Sequence, residues 1–596
     1  MCFVITLLLF PATVCADERP NVIVIFSDDH GYSDLGSQGI QNDLKTPNLD
    51  RLAAGGVRMT SGYVSAPQCV PSRAGLLSGR YQNRFGVESN GMPLDGFNDQ
   101  ATIAERLQRA GYATGMTGKW HLGPHQQIVE HGFDDVFYKS ANRPGWANFN
   151  LDGTDRAAGA EDSKLYHLDA NSAAACAFIR RHHTQPFFFY CAYRAPHVPL
   201  DAPPKYLQRF PGEMPERRRQ ALAMIAAMDD GVGQIMQTLR EFDLEERTLI
   251  FFIGDNGAPL KIHKHDAPGG GPGWDGSLNE PLNGEKGMLS EGGIRVPFVA
   301  YWKGTLPAGV AYEHPVISLD VAATATSLAG LPEDPQLDGV NLIPHLTGTN
   351  TSPPHETLFW RWIAQSAVRE GNWKYLRGGR REYLFNLATD REEKHNVIAD
   401  HPETARRLHS KLERWASELS PPGLDTEVMS ETWEGYYDLY LDGKPAPKSE
   451  PTSRSRDQRK AANGWIARNC TLNMANGALQ VTPVKNAGKQ RPFLAHAGLK
   501  VTGPATALIE LRSERGGTAG FAWRLDGQKD FPAEQSVSFA VPASEDWKTF
   551  RIALPAAGSI IHLRTILPDG PSEIRRIRIE GATKASAREW TFASGS

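Results

Sequence analysis

Three short, almost unbroken apolar runs constrain this chain most: NVIVIF at 21–26, PFFFY at 186–190 and TLIFFI at 248–253. They are too short for ordinary helices, and they lack the polar–apolar alternation of a half-exposed strand. Runs of this kind are parallel strands covered on both faces. Each stops at polar residues: SDDH at 27–30, a turn containing His197, and Gly254, Asp255, Asn256 and Gly257. Helical spacing of Ala, Met and Ile predicts a helix over 215–240, and a second is expected over 102–110. Strands alternating with helices predict a layered α/β core, with its chemistry at the carboxyl ends of the strands.

Five stretches are expected. Residues 1–16 (MCFVITLLLFPATVCA) read as a secretory signal cleaved after Ala16, because the apolar part is too short to span a membrane. Residues 17–350 form the α/β domain. Residues 351–420 form a small antiparallel subdomain followed by a helix at 403–419. Residues 421–460, rich in Pro, Gly, Ser and charge, read as a linker or wrapping segment. Residues 461–596 read as a β-sandwich module, with short strands at 478–483, 505–511, 521–525, 536–541, 549–554 and 574–579. Inside the α/β domain, 266–281 and the surroundings of Trp146, Phe149 and Asp155 read as loops.

Composition narrows the class. The 57 glycines and 41 prolines among 596 residues exclude a helical bundle or coiled coil. A net charge of -4 provides no broad basic field, so no nucleic-acid partner is expected, and no later segment reads as a membrane span. The cysteines Cys2, Cys15, Cys69, Cys176, Cys191 and Cys470 contain no C-x-x-C pair. They suit neither a disulfide framework nor structural zinc.

Two strand ends carry metal-type donors. Asp28 and Asp29 follow the first run, and Asp255 and Asn256 the third. Adjacent carboxylates repel unless a cation lies between them, and an all-oxygen set suits Ca²⁺ or Mg²⁺. Cys69 opens CVPSRAGLLSGR at 69–80, where Pro71 and Ser72 suit a first helical turn and the exposed N–H groups form an anion site. Arg73, Lys119 and His121 in TGKWHLG, Lys286 in NGEKG, and Arg295 add cationic groups. Cations around an acidic metal pair point to a bound tetrahedral oxyanion. That leaves sulfuryl and phosphoryl transfer open, with Cys69 or Ser72 as nucleophile.

The run Cys69-Val70-Pro71-Ser72-Arg73, with Leu77-Ser78-Gly79-Arg80, resembles the signature of the type I (formylglycine-dependent) sulfatases, C-x-P-S-R-x-x-x-L-T-G. Ser78 replaces the usual Thr and keeps the hydroxyl. The resemblance continues through SDDHG at 27–31, APH at 195–197, GDNG at 254–257 and GEKG at 284–287, and covers about 20–415. It implies an alkaline-phosphatase-like α/β sandwich with a central, mostly parallel sheet. It implies oxidation of Cys69 to Cα-formylglycine by a maturation enzyme, the hydrated gem-diol being the nucleophile. It further implies one Ca²⁺ held by Asp28, Asp29, Asp255 and Asn256. Arg73 and Lys119 would stabilise developing charge, and His121 would assist the diol. His197 and Lys286 would bind sulfate, with His197 a candidate acid for the leaving oxygen.

Substrate preference is expected to reside in the loops. Trp146, Asn148, His263, His265, Trp274, Trp360 and Arg361 are the candidate pocket residues, since Trp stacks on sugars and Arg pairs with anions. The signal and the added sandwich favour a bacterial periplasmic or secreted carbohydrate sulfatase. The alternatives are a phosphate or phosphonate monoester hydrolase of the same superfamily, and a non-catalytic glycan-binding protein.

Overall fold

The computed structural model describes residues 19–260, 275–424, 429, 431–445, 462–483, 491–526, 528, 531–532, 534–582 and 587–592. The chain divides into two compact units, Met1–Lys448 and Ser449–Ser596. The signal expected at 1–16 lies outside the described residues.

Among the described residues, the first unit has twelve strands before residue 320: β1 Asn21–Asp28, β2 Val57–Met59, β3 Gly62–Tyr63, β4 Ala113–Gly118, β5 Asp135–Tyr138, β6 Gly145–Phe149, β7 Asp155–Glu161, β8 Phe187–Pro196, β9 Thr248–Gly254, β10 Phe298–Tyr301, β11 Val310–Tyr312 and β12 Val316–Ile317. Ten form one sheet in the order β11-β2-β10-β9-β1-β8-β4-β5-β6-β7. The central neighbours β9, β1, β8, β4 and β5 pair in parallel, with antiparallel partners at both flanks.

The apolar runs are continuous because this sheet is buried on both sides. Along β1, Val22, Val24 and Phe26 enter one core, whereas Ile23 and Ile25 enter the other. The same split holds along β9, with Leu249, Phe251 and Ile253 facing one way and Ile250 and Phe252 the other. Each fully buried side chain of this size contributes roughly 1.5–3 kcal/mol. Helices His167–His182 and Glu216–Glu241 cover one face, and Ile103–Arg109 packs on the other side. Thr102 caps Ile103–Arg109: its side chain accepts from Glu105 N while Glu105 bonds back to the Thr102 N–H.

The fold is the alkaline-phosphatase-like α/β sandwich, joined by smaller antiparallel sheets. Four strands, Thr357–Trp362, Gln365–Glu370, Trp373–Gly378 and Arg381–Asn386, form a meander packed against helix Pro402–Ala416. Buried charges fasten this meander to the main core. Lys374 Nζ lies 2.9 Å from Glu291 and 2.8 Å from Glu393, and Glu393 accepts the Glu291 N–H at 2.6 Å.

Two sequence expectations change here. The stretch around Trp146, Phe149 and Asp155 is the edge hairpin β6–β7, whose polar, half-exposed residues mimic a loop. The segment 421–460 carries a helix, Glu431–Tyr440, that buries Tyr436 and Tyr437. Its Pro- and Gly-rich flanks hide the aromatic spacing. Tyr437 Oη donates to Gln365 Oε1 at 3.0 Å, so this helix packs on the meander.

The second unit is a sandwich of a five-stranded and a six-stranded antiparallel sheet around one core. Ala505–Ser513 alternates strictly between buried and half-buried positions, as a one-sided strand must. Among the described residues, no helix of the chain is long and apolar enough to cross a membrane.

Candidate active site

Because β1, β4, β8 and β9 run parallel, the residues that follow them meet at one sheet edge. Asp28 ends β1, Lys119 follows β4, His197 follows β8, and Asp255 and Asn256 follow β9. Asp29 takes a left-handed conformation (φ 59°), which turns its N–H onto Asp255 Oδ1 at 2.9 Å. Gly118 lets the chain leave β4 beside β8, where a Cβ would stand 2.0 Å from the Ala192 carbonyl oxygen. Lys119 N–H then bonds that carbonyl at 2.8 Å.

Cys69 opens the wholly buried helix Cys69–Ser78. Its start is clamped reciprocally: Asn90 accepts the Val70 N–H, and Gln68 accepts the Asn90 N–H, each at 3.0 Å. One ligand atom each from Asp28, Asp29, Cys69 and His197 lies within 4.8 Å of the others. Cys69 Sγ stands 3.4 Å from Asp28 Oδ1 and 3.2 Å from Lys286 Nζ. Ser72, the other sequence candidate for nucleophile, is buried with its Oγ unbonded among the described residues.

Cations balance the carboxylates. Lys119 Nζ bonds Asp28 at 2.6 Å, and Lys286 Nζ bonds Asp29 at 2.5 Å. His197 Nε2 lies 3.6 Å from Asp29. Arg73, fully buried, bonds Asp255 at 2.7 Å, Tyr190 Oη at 3.2 Å and the Lys119 carbonyl at 3.1 Å. Burial alone would raise both aspartates, but His197, Lys119 and Arg73 hold Asp28 well below the usual range, and Lys286 and His197 lower Asp29. Burial and repulsion from Asp28 push Asp255 up to about 7, despite Arg73. Burial and the Asp255 charge push the Cys69 thiol up, so it stays protonated. His121 keeps an exposed surface, yet partial burial with Lys119 and Arg73 depresses it to about 3.

The donor set fits a hard cation. Three carboxylates crowd together, and Asn256 Oδ1 is buried without a hydrogen-bond partner among the described residues. Asn256 Nδ2 donates to Asp29 at 2.7 Å, which fixes which amide atom remains as an acceptor. An oxygen-only set with an orphaned acceptor suits Ca²⁺.

The proposed pocket residues separate. Trp360 is a correction: it is fully buried, and its Nε1 donates to the Val64 carbonyl at 2.8 Å. Arg361 is another: it is 4% exposed, paired with Glu88, and bonds the Pro421 and Gly423 carbonyls at 2.7 and 2.6 Å. Asn148 is half-buried, its amide accepting from Val136 N at 2.8 Å and donating to the Asp134 carbonyl at 2.7 Å. Trp146 is half-buried, 6.2 Å from His125, which stacks on Tyr138 at 5.2 Å. His263, His265 and Trp274 lie outside the described residues. Sequence reasoning missed Tyr190 as the acceptor for Arg73. Its signal was the single hydroxyl in PFFFY, on the same strand face as Phe188.

Residues 20–331, more than half of the chain, match the sulfatase family. The chain is 35% identical over 412 residues to arylsulfatase A of Bos taurus, covering 62% of this chain and 76% of that protein. It is 33% identical over 398 residues to N-acetylgalactosamine-6-sulfatase of Sus scrofa, covering 60% and 72%. The crystal structure of Ps i-CgsB in complex with k-i-k-neocarrahexaose aligns with a TM-score of 0.60 and 30% identity, covering 71% of this chain and 97% of that one. The matched span takes in every strand-end residue from Asp28 to Lys286, and on that extent of similarity the chain belongs to the sulfatase family of hydrolases.

Proposed function

We propose that this chain hydrolyses sulfate esters of a sulfated poly- or oligosaccharide at residue 69, beside one Ca²⁺. The convergence of Asp28, Asp29, Cys69 and His197 within 4.8 Å carries the reading. With Cys69 converted by a maturation enzyme to Cα-formylglycine, and with calcium held by Asp28, Asp29, Asp255 and Asn256, the site gains a hydrated aldehyde nucleophile and a Lewis acid for sulfate oxygens.

The remaining roles follow from this chain's own side chains. Arg73 and Lys119 hold the carboxylates in place and put positive charge where negative charge develops. Lys286, 3.2 Å from the residue-69 side chain, binds the sulfate. His197 Nδ1 lies 2.5 Å from the Val198 carbonyl, which requires a proton on Nδ1 and turns Nε2 toward the site. Nε2 makes His197 the candidate acid for the leaving oxygen; burial lowers its pKa, and Asp28 and Asp29 oppose that shift. His121, kept uncharged by burial and the Lys119 charge, is the candidate to assist the diol during sulfate release.

Trp146, with His125 and Tyr138, offers aromatic faces for a sugar ring. The names of the relatives and the neocarrahexaose complex support a saccharide substrate. The signal-like residues 1–16 support a periplasmic or secreted bacterial enzyme.

The test is a panel of defined sulfated oligosaccharides assayed beside matching phosphate esters, reading free sulfate and phosphate. Sulfate release should dominate, with one ring position preferred. Comparable phosphate release would favour a phosphohydrolase. Mass spectrometry should find formylglycine in the residue-69 peptide of the active protein, and Cys69→Ala should lose turnover with its melting temperature retained. Sulfatase activity persisting in that variant would sink the mechanism.

A further inference from the structure

Arg295, expected from the sequence among the cations of the strand-end site, instead lines a separate cationic cavity in the first unit. The cavity volume is about 340 Å³, and the walls include Tyr32, Arg58, Thr60, Arg295 and Arg391. That volume suits a small ligand group.

The three guanidiniums differ in how their charge is met. Arg295 is fixed by the fold: Nε donates to the Thr60 carbonyl at 2.7 Å, Nη1 pairs with Glu291 at 3.1 Å, and the guanidinium lies 5.4 Å over the Tyr32 ring. Arg58 bonds only a neutral amide, Gln38 Oε1, at 2.7 Å. Arg391 is exposed at the cavity mouth and makes no hydrogen bond or ion pair among the described residues. Glu313 also lines the cavity and pairs with none of the three. Three arginines against Glu313 and the Glu291 that meets Arg295 leave one net positive charge at the cavity, although the whole chain is net negative at -4. Guanidinium forks match the paired oxygens of sulfate and carboxylate, and a partly enclosed site strengthens such contacts relative to water.

We propose that this cavity is a second oxyanion site, taking a sulfate or carboxylate group in addition to the ester that is cleaved. The group belongs either to a charged saccharide or to free inorganic sulfate, and the two sources separate by experiment. The proposal does not depend on the identity of the nucleophile.

The test uses the mature enzyme and the double variant Arg58→Gln/Arg391→Gln, which leaves Arg295 and the strand-end site intact. Calorimetric titration with sodium sulfate should resolve two binding events in the parent. In the variant the second event should weaken about tenfold or more, since each charge-assisted hydrogen bond is worth roughly that factor. A KM that rises for a disulfated oligosaccharide but not for its monosulfated counterpart identifies the saccharide as the source. A weakened sulfate event with both KM values unchanged identifies free sulfate. Unchanged sulfate binding together with an unchanged KM ratio overturns the proposal. Arg58→Lys/Arg391→Lys keeps the charge and should recover most of the binding. A lysine pair as defective as the glutamine pair, with a lowered melting temperature in both, would make the role structural and also overturn it.

Discussion

Replacing Arg73 by methionine removes a wholly buried guanidinium lying 2.7 Å from Asp255 and 3.7 Å from Asp28. At an effective dielectric constant of about 20, those separations correspond to attractions of about 6 and about 4.5 kcal/mol. Desolvation of the ions offsets much of this, and truncating one partner of a buried pair costs about 3–5 kcal/mol, because the other charge is left uncompensated. The hydrogen bonds to Tyr190 and to the Lys119 carbonyl are lost as well. The assay is denaturant unfolding at about pH 8.5, above the value of about 7 to which Asp255 is pushed, in the presence of a chelator, so that side-chain cations alone face ionised carboxylates. Parent, Arg73→Met, Asp255→Asn and the double variant form a cycle. The double variant should be less destabilised than the sum of the singles by at least about 2 kcal/mol. Additivity to within about 0.5 kcal/mol would refute the reasoning, because the two charges would then not be compensating each other.

Trp360→Ala should cost about 3–5 kcal/mol of stability, as expected for a large buried ring, while leaving the ranking of substrates unchanged; an altered ranking would restore Trp360 to the pocket. His355 Nε2 lies 2.7 Å from Asp320, and although burial opposes its charge, that carboxylate raises its pKa above 6.5. Its stabilising contribution is therefore complete below about pH 6.5 and is lost as the pH rises through the raised value. His355→Gln should flatten that part of a melting-temperature profile, and an unchanged slope would contradict the pairing. Chelation should abolish most sulfatase activity, and calcium should restore it better than zinc, given the oxygen donors. Activity that survives exhaustive chelation would remove the metal from the mechanism.

Strand-end chemistry was legible because it is local. SDDHG, GKWHLG, APH and GDNG each follow a continuous apolar run or sit at a turn, and the structure brings them to one sheet edge. The helix Glu216–Glu241 was visible from its spacing. The hairpin β6–β7 and the helix Glu431–Tyr440 were not. An edge strand with half-exposed polar residues has the composition of a loop, and the helix lies between Pro- and Gly-rich flanks. Both are held by packing rather than by local propensity.

By itself, the sequence determined that strands buried on both faces would end in carboxylates, amides and histidines, because burial on two faces appears as an unbroken apolar run. Only the tertiary structure decided which polar and aromatic residues outside those motifs belong to a site. Trp360 and Arg361 sit next to each other on one strand, yet one ring fills a core and the other side chain ties down the carbonyls at 421–423. Arg58, Arg295 and Arg391, far apart in the chain, share one cavity. Spacing reports the period of an element, whereas the layer that each of its faces meets is set by contacts between residues distant in sequence.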